Sequence, residues 1–526
     1  MILFLVSLIP YFVFTILKTK KSFHMLQQNF YNDDNRYFKW IIININKVLV
    51  DSDILFVLLV LTLFFEIGLE IGTFIILYGI IYLMYKKKKK TIDKKPLVIT
   101  PRIKRLSFTM FILYFIVIMP VIFNFSYEKL VYEYVILGAL TYFNYFVVMT
   151  ANVINKPIEK CVYLYYKIKA INKLKQLDIP VIGITGSYGK TSTKNIINEI
   201  LNIKYNSYAT PKSFNTPYGL MNAINNYLDK FNDIFIAEMG AFKIGEIKQN
   251  CNLVHPKYGI ITTIGEAHLD TFGSRENVMK GKFELIESLP SDGLAILNKD
   301  DEYQVKYNIK NNVRVKWYGI DSEDVDVRAT NIKLTNKGTT FDCIFKGEKN
   351  KYTFHTKLLG THNIYNILSG ILLGHELGLS IDELQRGVSS VKTIEHRLEL
   401  KKYGDINIID DAYNSNPVGS KRALEVLGMM EGTKIIVTPG MIELGDKQYE
   451  LNYKLGEYIS KVCDYVILIG ETQTKPIKDG LLNKKYDNSK IFILNDVRDA
   501  FTLMNKLKSG ETYVLLENDL PDLFNE

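Results

Sequence analysis

One stretch constrains the fold more than any other: Val181-Ile-Gly-Ile-Thr-Gly186-Ser-Tyr-Gly-Lys190-Thr-Ser-Thr193. A short apolar run ends in a loop of small residues. The loop ends in Gly-Lys-Thr, and a helical pattern follows from Lys194 to Leu201. That order reads as strand, phosphate loop and helix. The glycines let backbone N–H groups close on a polyphosphate, and the helix start adds the positive end of its dipole. Gly186, Ser187, Gly189, Lys190, Thr191 and Ser192 are therefore candidate nucleotide-binding residues. Lys190 is expected to reach the β- and γ-phosphates, and the Thr191 hydroxyl to bind Mg²⁺. Only the later half of the full G-x-x-x-x-G-K-[ST] pattern is present, because its first glycine would fall at Ile184. An ordinary Gly-rich strand–helix turn has the same look.

The segment ahead of this loop has a different character. Residues 1–17 are largely apolar and end at Lys18-Thr-Lys-Lys21, with no small-residue cleavage site after them, so a membrane helix fits better than a signal peptide. Residues 54–85 exceed the roughly 20 residues that one span needs. Glu66, Gly68, Glu70 and Gly72 interrupt them, which predicts two short spans and a turn near 67–71. Residues 108–126 and 131–153 form a further pair. Lys86 to Lys90, Lys94, Lys95, Arg102, Lys104 and Arg105 flank these segments as a cytoplasmic basic border. The expectation is about five spans, with the N-terminus outside and the phosphate loop inside. Localisation is then a multi-pass cell-membrane protein with cytoplasmic catalytic domains. The formal charge of +9 comes with no aromatic-interleaved basic face, which speaks against nucleic acid. The four cysteines, Cys161, Cys251, Cys343 and Cys463, form no CxxC pair and suit a reducing compartment.

Residues 154–178 mix Lys, Tyr, Leu and Ile at helical spacing and read as an amphipathic linker helix. From Ile179 onward strand-like runs alternate with helical patterns, which predicts an α/β protein with largely parallel sheets. The runs include 234–237, 258–262, 295–297, 406–409, 434–437, 465–469 and 513–516. Residues 312–356 instead read as a small antiparallel patch with a turn at Asn336-Lys-Gly338.

Carboxylates and a histidine follow the predicted strands. Glu238 ends an apolar run beside the phosphate loop, a position suited to Mg²⁺ and equally to a capping carboxylate. His268 and Asp270 lie in the loop after another run, where α/β sites collect. Lys282 sits on the helix beyond, where a surface lysine is the plain alternative. Thr210 to Gly219 is rich in turn residues and reads as a surface loop.

Taken together these pieces closely resemble the Mur ligase family, including its relatives the folylpolyglutamate synthetases. The matching residues are Thr185-Gly-Ser-Tyr-Gly-Lys-Thr191, Glu238-Met-Gly240, Gly265-Glu-Ala-His-Leu-Asp270 with Phe272-Gly-Ser274, and Lys282. Further along come Gly360-Thr-His-Asn-Ile-Tyr-Asn366, Glu395-His-Arg-Leu398, Asp410-Asp-Ala-Tyr-Asn-Ser-Asn-Pro417 and Pro439-Gly-Met-Ile-Glu-Leu-Gly445. Each is weak alone, and their shared order is specific. The Asp-Asp-x-Tyr-Asn-x-Asn-Pro run looks most like the branch that adds D-alanyl-D-alanine.

The resemblance implies an architecture. Behind the helical transmembrane region (1–153) and the linker (154–178) already read from hydropathy, it places a central ATP-binding domain (179–392) and a C-terminal Rossmann-like domain (393–526). It also implies ATP-dependent amide ligation in peptidoglycan precursor synthesis: a carboxylate is phosphorylated by ATP and the acyl phosphate is attacked by an amine. Thr191 and Glu238 would bind the first of two Mg²⁺ ions, and His268 the second. Lys282 matches a lysine that relatives carry as a carbamate, an anionic metal ligand. Asn363 and Asn366 would lie on the adenine side, though a helix-capping asparagine looks the same. Arg397 would contact the γ-phosphate, Asp411 the ribose, and Asn414 would face the site. Lys190, His268, Lys282 and Arg397 are the catalytic candidates.

The departure from the family is at the front. Nothing in residues 1–178 resembles the small UDP-gripping domain of the soluble ligases. The expected substrates are UDP-N-acetylmuramoyl-tripeptide, or a lipid-linked equivalent, and D-alanyl-D-alanine, with membrane lipid as a further partner. An amidating relative would carry a four-cysteine zinc insert, which is absent. A transporter or sensor would show paired polar residues in its spans, for which only Glu66 and Glu70 are candidates.

Overall fold

The computed structural model describes residues 2–29, 31, 34–49, 52–58, 60, 70–87, 96–123, 127–265, 268–335, 338–393, 398–412, 415–442 and 444–518. It divides into two compact units, one built on Met1–Leu164 and the other on Tyr165–Leu520.

The first unit is helical, with helices Ile2–Gln28, Asp34–Ile43, Ile45–Leu49, Glu70–Lys87, Pro101–Phe123 and Tyr127–Tyr142, and the first part of Asn144–Leu177. Phe4, Leu8, Phe14, Phe74 and Ile81 build an apolar core, and the same interior also holds a chain of buried polar groups. Ser7, Tyr11, Thr15, Lys18 and Ser22 recur at three- and four-residue steps, so they share one face of the first helix, and all are buried. Ser7 and Tyr134 share a 2.7 Å hydrogen bond, the Tyr11 hydroxyl donates to Leu137 O at 2.9 Å, and Ser22 donates to Asn144 Oδ1 at 2.7 Å. Lys18 forms a buried ion pair with Asp53. Arg105 grips Glu159 through two bonds of 2.6 and 2.9 Å. Meanwhile Ile2, Ile9, Ile16, Phe108, Phe111 and Phe123 are exposed. Polar groups joined inside and apolar groups outside are what a lipid surround favours.

The five expected spans are only partly matched. Among the described residues, Ile2–Gln28 and Pro101–Pro120 are long and apolar enough to cross a membrane. A third is reached if Tyr132–Tyr142 and Asn144–Leu177, bent by 81°, count as one span. Of the pair expected in 54–85, the helix Glu70–Lys87 has only 18 residues and carries charge at both ends. The expected turn with Glu66, and the side chain of Glu70, lie outside the described residues, as do Lys88 to Lys90, Lys94 and Lys95.

The second unit holds two sheets. The first contains β1 (Val181–Thr185), β2 (Ser207–Ala209), β3 (Ile234–Glu238), β4 (Tyr258–Ile261), β5 (Leu294–Asn298), β6 (Arg314–Gly319), β7 (Val327–Thr335), β8 (Gly338–Phe345) and β9 (Lys351–Thr356). Their order is β2-β3-β1-β4-β5-β6-β7-β8-β9. Pairing is parallel from β2 to β7 and antiparallel through β8 and β9. The antiparallel part is thus no separate patch, because β7 extends the main sheet through its pairing with β6. The expected turn residues 336 and 337 lie outside the described residues. Helices Lys190–Leu201 and Thr361–Glu376 bury Ile196, Ile197, Ile200, Ile364, Ile367 and Ile371 in one core with this sheet.

The second sheet contains β10 (Glu399–Tyr403), β11 (Ile406–Asp411), β12 (Thr433–Thr438), β13 (Tyr465–Ile469), β14 (Ile491–Leu494) and β15 (Thr512–Glu517), in the order β10-β11-β15-β12-β13-β14. All pairs except β10–β11 are parallel. Buried β-branched and leucine runs such as Val466 to Leu468 account for strands covered on both faces.

Candidate active site

β1 lies between β3 and β4, so chain order reverses on either side of it. Ligands of open α/β sheets bind outside the carboxyl ends of the strands at such a reversal. The phosphate loop leaves β1 there. Gly186 has φ +151°, and a Cβ on it would stand 2.0 Å from Thr262 Oγ1. Gly189 has φ +82° and caps the helix Lys190–Leu201 in the left-handed region. The Ser187 amide donates to Thr263 O at 2.7 Å, and Gly265 N donates to Ser187 Oγ at 2.9 Å, so the loop after β4 braces the phosphate loop. The Lys190 ammonium donates to Gly186 O at 2.7 Å and Ser187 O at 3.1 Å. Ser192 is buried at the helix start.

Glu238, the last residue of β3, is 1% exposed. Its Oε1 accepts from Thr191 Oγ1 at 3.1 Å and from Asn215 Nδ2 at 3.2 Å. Lys194 Nζ stands 3.1 Å from the other oxygen and is equally buried. The structure therefore brings together Thr191 and Glu238, the two residues expected to share a metal ion, and gives Glu238 two further partners, Lys194 and Asn215. Lys194 lies three residues after Thr191, so the two are neighbours on the helix surface, a spacing that was readable. Asn215 belongs to the turn-rich 210–219 segment, and nothing local distinguishes it from a surface residue. Yet its carbonyl also accepts from Gly240 N at 2.8 Å.

His268 and Lys282 meet a neighbouring wall. The His268 ring packs edge-on against Phe242 at 4.5 Å, and its backbone is left-handed with φ 60°. Lys282 is 2% exposed, so the surface reading of this residue is set aside. Its Nζ donates to Ala241 O at 3.4 Å and lies 5.5 Å from the Phe272 ring centre. Burial, and then the nearby charge of Lys190, hold its ammonium well below the ordinary lysine range, against the pull of Glu246 and Glu284. Among the described residues no three His, Cys, Asp or Glu side chains converge as a metal cluster. The Asp270 side chain lies outside the described residues.

The helix Thr361–Glu376 brings Asn366 to the phosphate loop: its Oδ1 is 3.0 Å from where a Cβ of Gly189 would be. Asn363 donates to Leu359 O at 2.8 Å and accepts from Asn366 Nδ2 at 3.4 Å. Asp411 closes β11, and its Oδ1 accepts from Leu398 N at 3.2 Å. Arg397 and Asn414 lie outside the described residues. Two further carboxylates shape the site without a motif to announce them. Asp301 Oδ2 accepts from Ile264 N at 2.7 Å and Thr263 Oγ1 at 3.2 Å, fixing the loop after β4. Glu517 is the register partner of Asp411, and burial, then the Asp411 charge, push its carboxyl up to about 8.

Parallel sheets, a switch point and a braced phosphate loop define an α/β protein of the phosphate-loop type. Family comparison agrees: residues 184–374 match the Mur ligase middle domain, and residues 396–516 the Mur ligase glutamate ligase domain. The chain belongs to the Mur ligase family. It is 34% identical over 291 residues to the UDP-N-acetylmuramoyl-tripeptide–D-alanyl-D-alanine ligase of Bacillus subtilis, covering 55% of this chain and 62% of that protein. The Escherichia coli enzyme of the same name is 29% identical over 300 residues, covering 56% and 66%. The crystal structure of the MurF ligase of Thermotoga maritima in complex with ADP superposes with a TM-score of 0.61 at 26% identity, covering 69% of this chain and 81% of that one. The chain thus spans about three fifths of the length of the curated relatives it matches.

Proposed function

We propose that the protein is an ATP-dependent amide ligase of peptidoglycan precursor synthesis. It would join the carboxylate of UDP-N-acetylmuramoyl-tripeptide, or of its lipid-linked equivalent, to D-alanyl-D-alanine. The observation that carries this reading is the phosphate loop coupled through Thr191 to the buried Glu238, in a chain whose relatives bear that enzyme name. The ADP-bound relative supports ATP as the nucleotide.

The chemistry follows from the charges to be managed. A substrate carboxylate oxygen attacks the γ-phosphorus and ADP leaves. The amine nitrogen then attacks the acyl carbon, phosphate leaves and the amine gives up a proton. Both steps gather negative charge, so positioned cations contribute most. Lys190 and the loop amides hold the β- and γ-phosphates, and Asn363 and Asn366 border the base. Asp411 holds the ribose, while Arg397 and Asn414 act from the second sheet's domain. Thr191 and Glu238 offer hard oxygen donors of the kind Mg²⁺ prefers, and the Glu238 oxygen that faces Lys194 at 3.1 Å takes no well-aligned hydrogen bond. Mg²⁺ held by Thr191 and Glu238 would neutralise phosphate charge. His268 would serve a second ion together with Lys282 as its carbamate. Burial suits Lys282 to that modification, since only a neutral amine captures CO₂. Closure of the second domain over the first would keep water from the acyl phosphate.

The reading extends to location. The apolar exterior of the first unit, its two apolar helices and its basic flanks at Lys86, Lys87, Arg102, Lys104 and Arg105 support a multi-pass membrane protein with its ligase unit in the cytoplasm. Labelling the substrate carboxylate with ¹⁸O tests the ligase: one label must appear in inorganic phosphate. Phosphate free of label would rule out the acyl phosphate route.

A further inference from the structure

The ligase unit has an exposed apolar neighbourhood that its chemistry does not use. In residues 165–177 of the helix Asn144–Leu177, Tyr165 and Tyr166 are 64 and 47% exposed. In the turn after the helix Pro217–Asn226, Tyr227 and Phe231 are 54 and 68% exposed. Two hydrogen bonds hold these elements together: Asn225 Nδ2 donates to Tyr166 O, and Lys173 Nζ to Asn225 O, both at 3.1 Å. The Phe231 amide is itself fixed to Asp229 Oδ1 at 2.8 Å. The rings therefore belong to one fixed surface rather than to loose ends.

The charge around them has one prevailing sign. Lys169 and Lys230 are exposed, Lys167, Lys173 and Lys175 stand along the same helix, and Asp229 is the acid that faces Lys173. Lys230 Nζ lies 5.2 Å from the Phe231 ring centre. A soluble surface seldom gathers this many large exposed apolar groups without a partner. Tyrosine and phenylalanine among lysines is the composition of the membrane interface. There the rings sit at headgroup depth and lysine ammonium groups meet lipid phosphates.

We infer that this face of the ligase unit docks on an anionic lipid surface, with Tyr165, Tyr166, Tyr227 and Phe231 entering the headgroup layer and Lys169 and Lys230 pairing with its phosphates. The inference rests on the membrane reading above. The same chain carries apolar helices ahead of residue 165, so a bilayer is always within reach and even a weak contact is populated. Docking would present the active site to substrates held at that surface and would restrict the ligase unit's tumbling.

The test uses the full chain in lipid nanodiscs. The two native tryptophans, Trp40 and Trp317, are replaced by Phe. Single tryptophans are then introduced as Phe231→Trp, Phe111→Trp and Tyr449→Trp, all at exposed positions. Discs contain brominated lipid, with or without phosphatidylglycerol. The expected result is that Trp at 111 and at 231 lose most of their fluorescence in anionic discs while Trp at 449 keeps its own. Adding Lys169→Glu and Lys230→Glu should restore the emission of Trp at 231 alone. Quenching at 111 with none at 231 would overturn the docking and leave the membrane reading intact. Quenching at neither would overturn both.

Discussion

Asp411 and Glu517 end neighbouring parallel strands as register partners, and Glu517 is 1% exposed. Burial cuts Glu517 off from water, and the neighbouring Asp411 charge adds to the cost of ionising it, so Glu517 keeps its proton to about pH 8. The Ser415 hydroxyl bonds Glu517 Oε1 at 2.7 Å, and Ser415 N bonds Asn518 Oδ1 at 3.1 Å. Glu517 and Asn518 thereby anchor Ser415, just ahead of the helix Pro417–Gly428.

A pH dependence of stability follows. The folded protein holds this proton to higher pH than the unfolded chain, whose carboxyl has the ordinary value of 4.5. The contribution is therefore complete below pH 4.5 and is lost as pH rises through about 8. Thermal unfolding in detergent should show the midpoint falling over that window. Glu517→Gln, which fixes the neutral form, should flatten the fall. An unchanged slope in the variant would remove Glu517 as its source.

Lys194 balances a buried carboxylate. Lys194→Met should leave Glu238 without its ion-pair partner and cost about 3–5 kcal/mol, the range for breaking a buried pair. Denaturation midpoints check the stability, and ATP binding should weaken in parallel because Glu238 then competes for Thr191. A variant as stable as the parent would show that Thr191 and Asn215 alone satisfy Glu238.

The phosphate loop has no room at Gly186. A Cβ there would meet Thr262 Oγ1 at 2.0 Å, so Gly186→Ala must displace the loop after β4. Overpacking of this kind costs about 1–3 kcal/mol, leaving a folded protein with a misplaced loop. Nucleotide binding by calorimetry should be lost, while the unfolding transition remains cooperative.

Lys282 should respond to CO₂. Removing bicarbonate should lower the ligase rate and restoring it should recover the rate. In ¹³C-bicarbonate a carbamate carbon should appear that Lys282→Ala lacks. Indifference to bicarbonate, with no such signal, would assign Lys282 to packing against Phe272.

The parallel sheets were legible because buried strands announce themselves: β3, β13 and β15 coincide with the apolar runs almost residue for residue. The phosphate loop and Glu238 were legible because local spacing carries their chemistry. Asn215 and Asp301 were not, since each acts by reaching a loop distant in sequence. Glu517 was hidden for a different reason. Its importance comes from lying beside Asp411, a pairing made only when the last strand inserts between β11 and β12. The spans were harder, because Glu66 and Glu70 break the 54–85 run where hydropathy alone would continue it.

Phosphate release from ATP by the detergent-solubilised full-length protein tests the central claim most directly. D-alanyl-D-alanine is supplied with UDP-N-acetylmuramoyl-tripeptide in one arm and with its lipid-linked counterpart in the other. The account predicts release that needs both substrates in at least one arm and disappears in Lys190→Ala. Release that ignores both substrates, or silence in both arms, would contradict it.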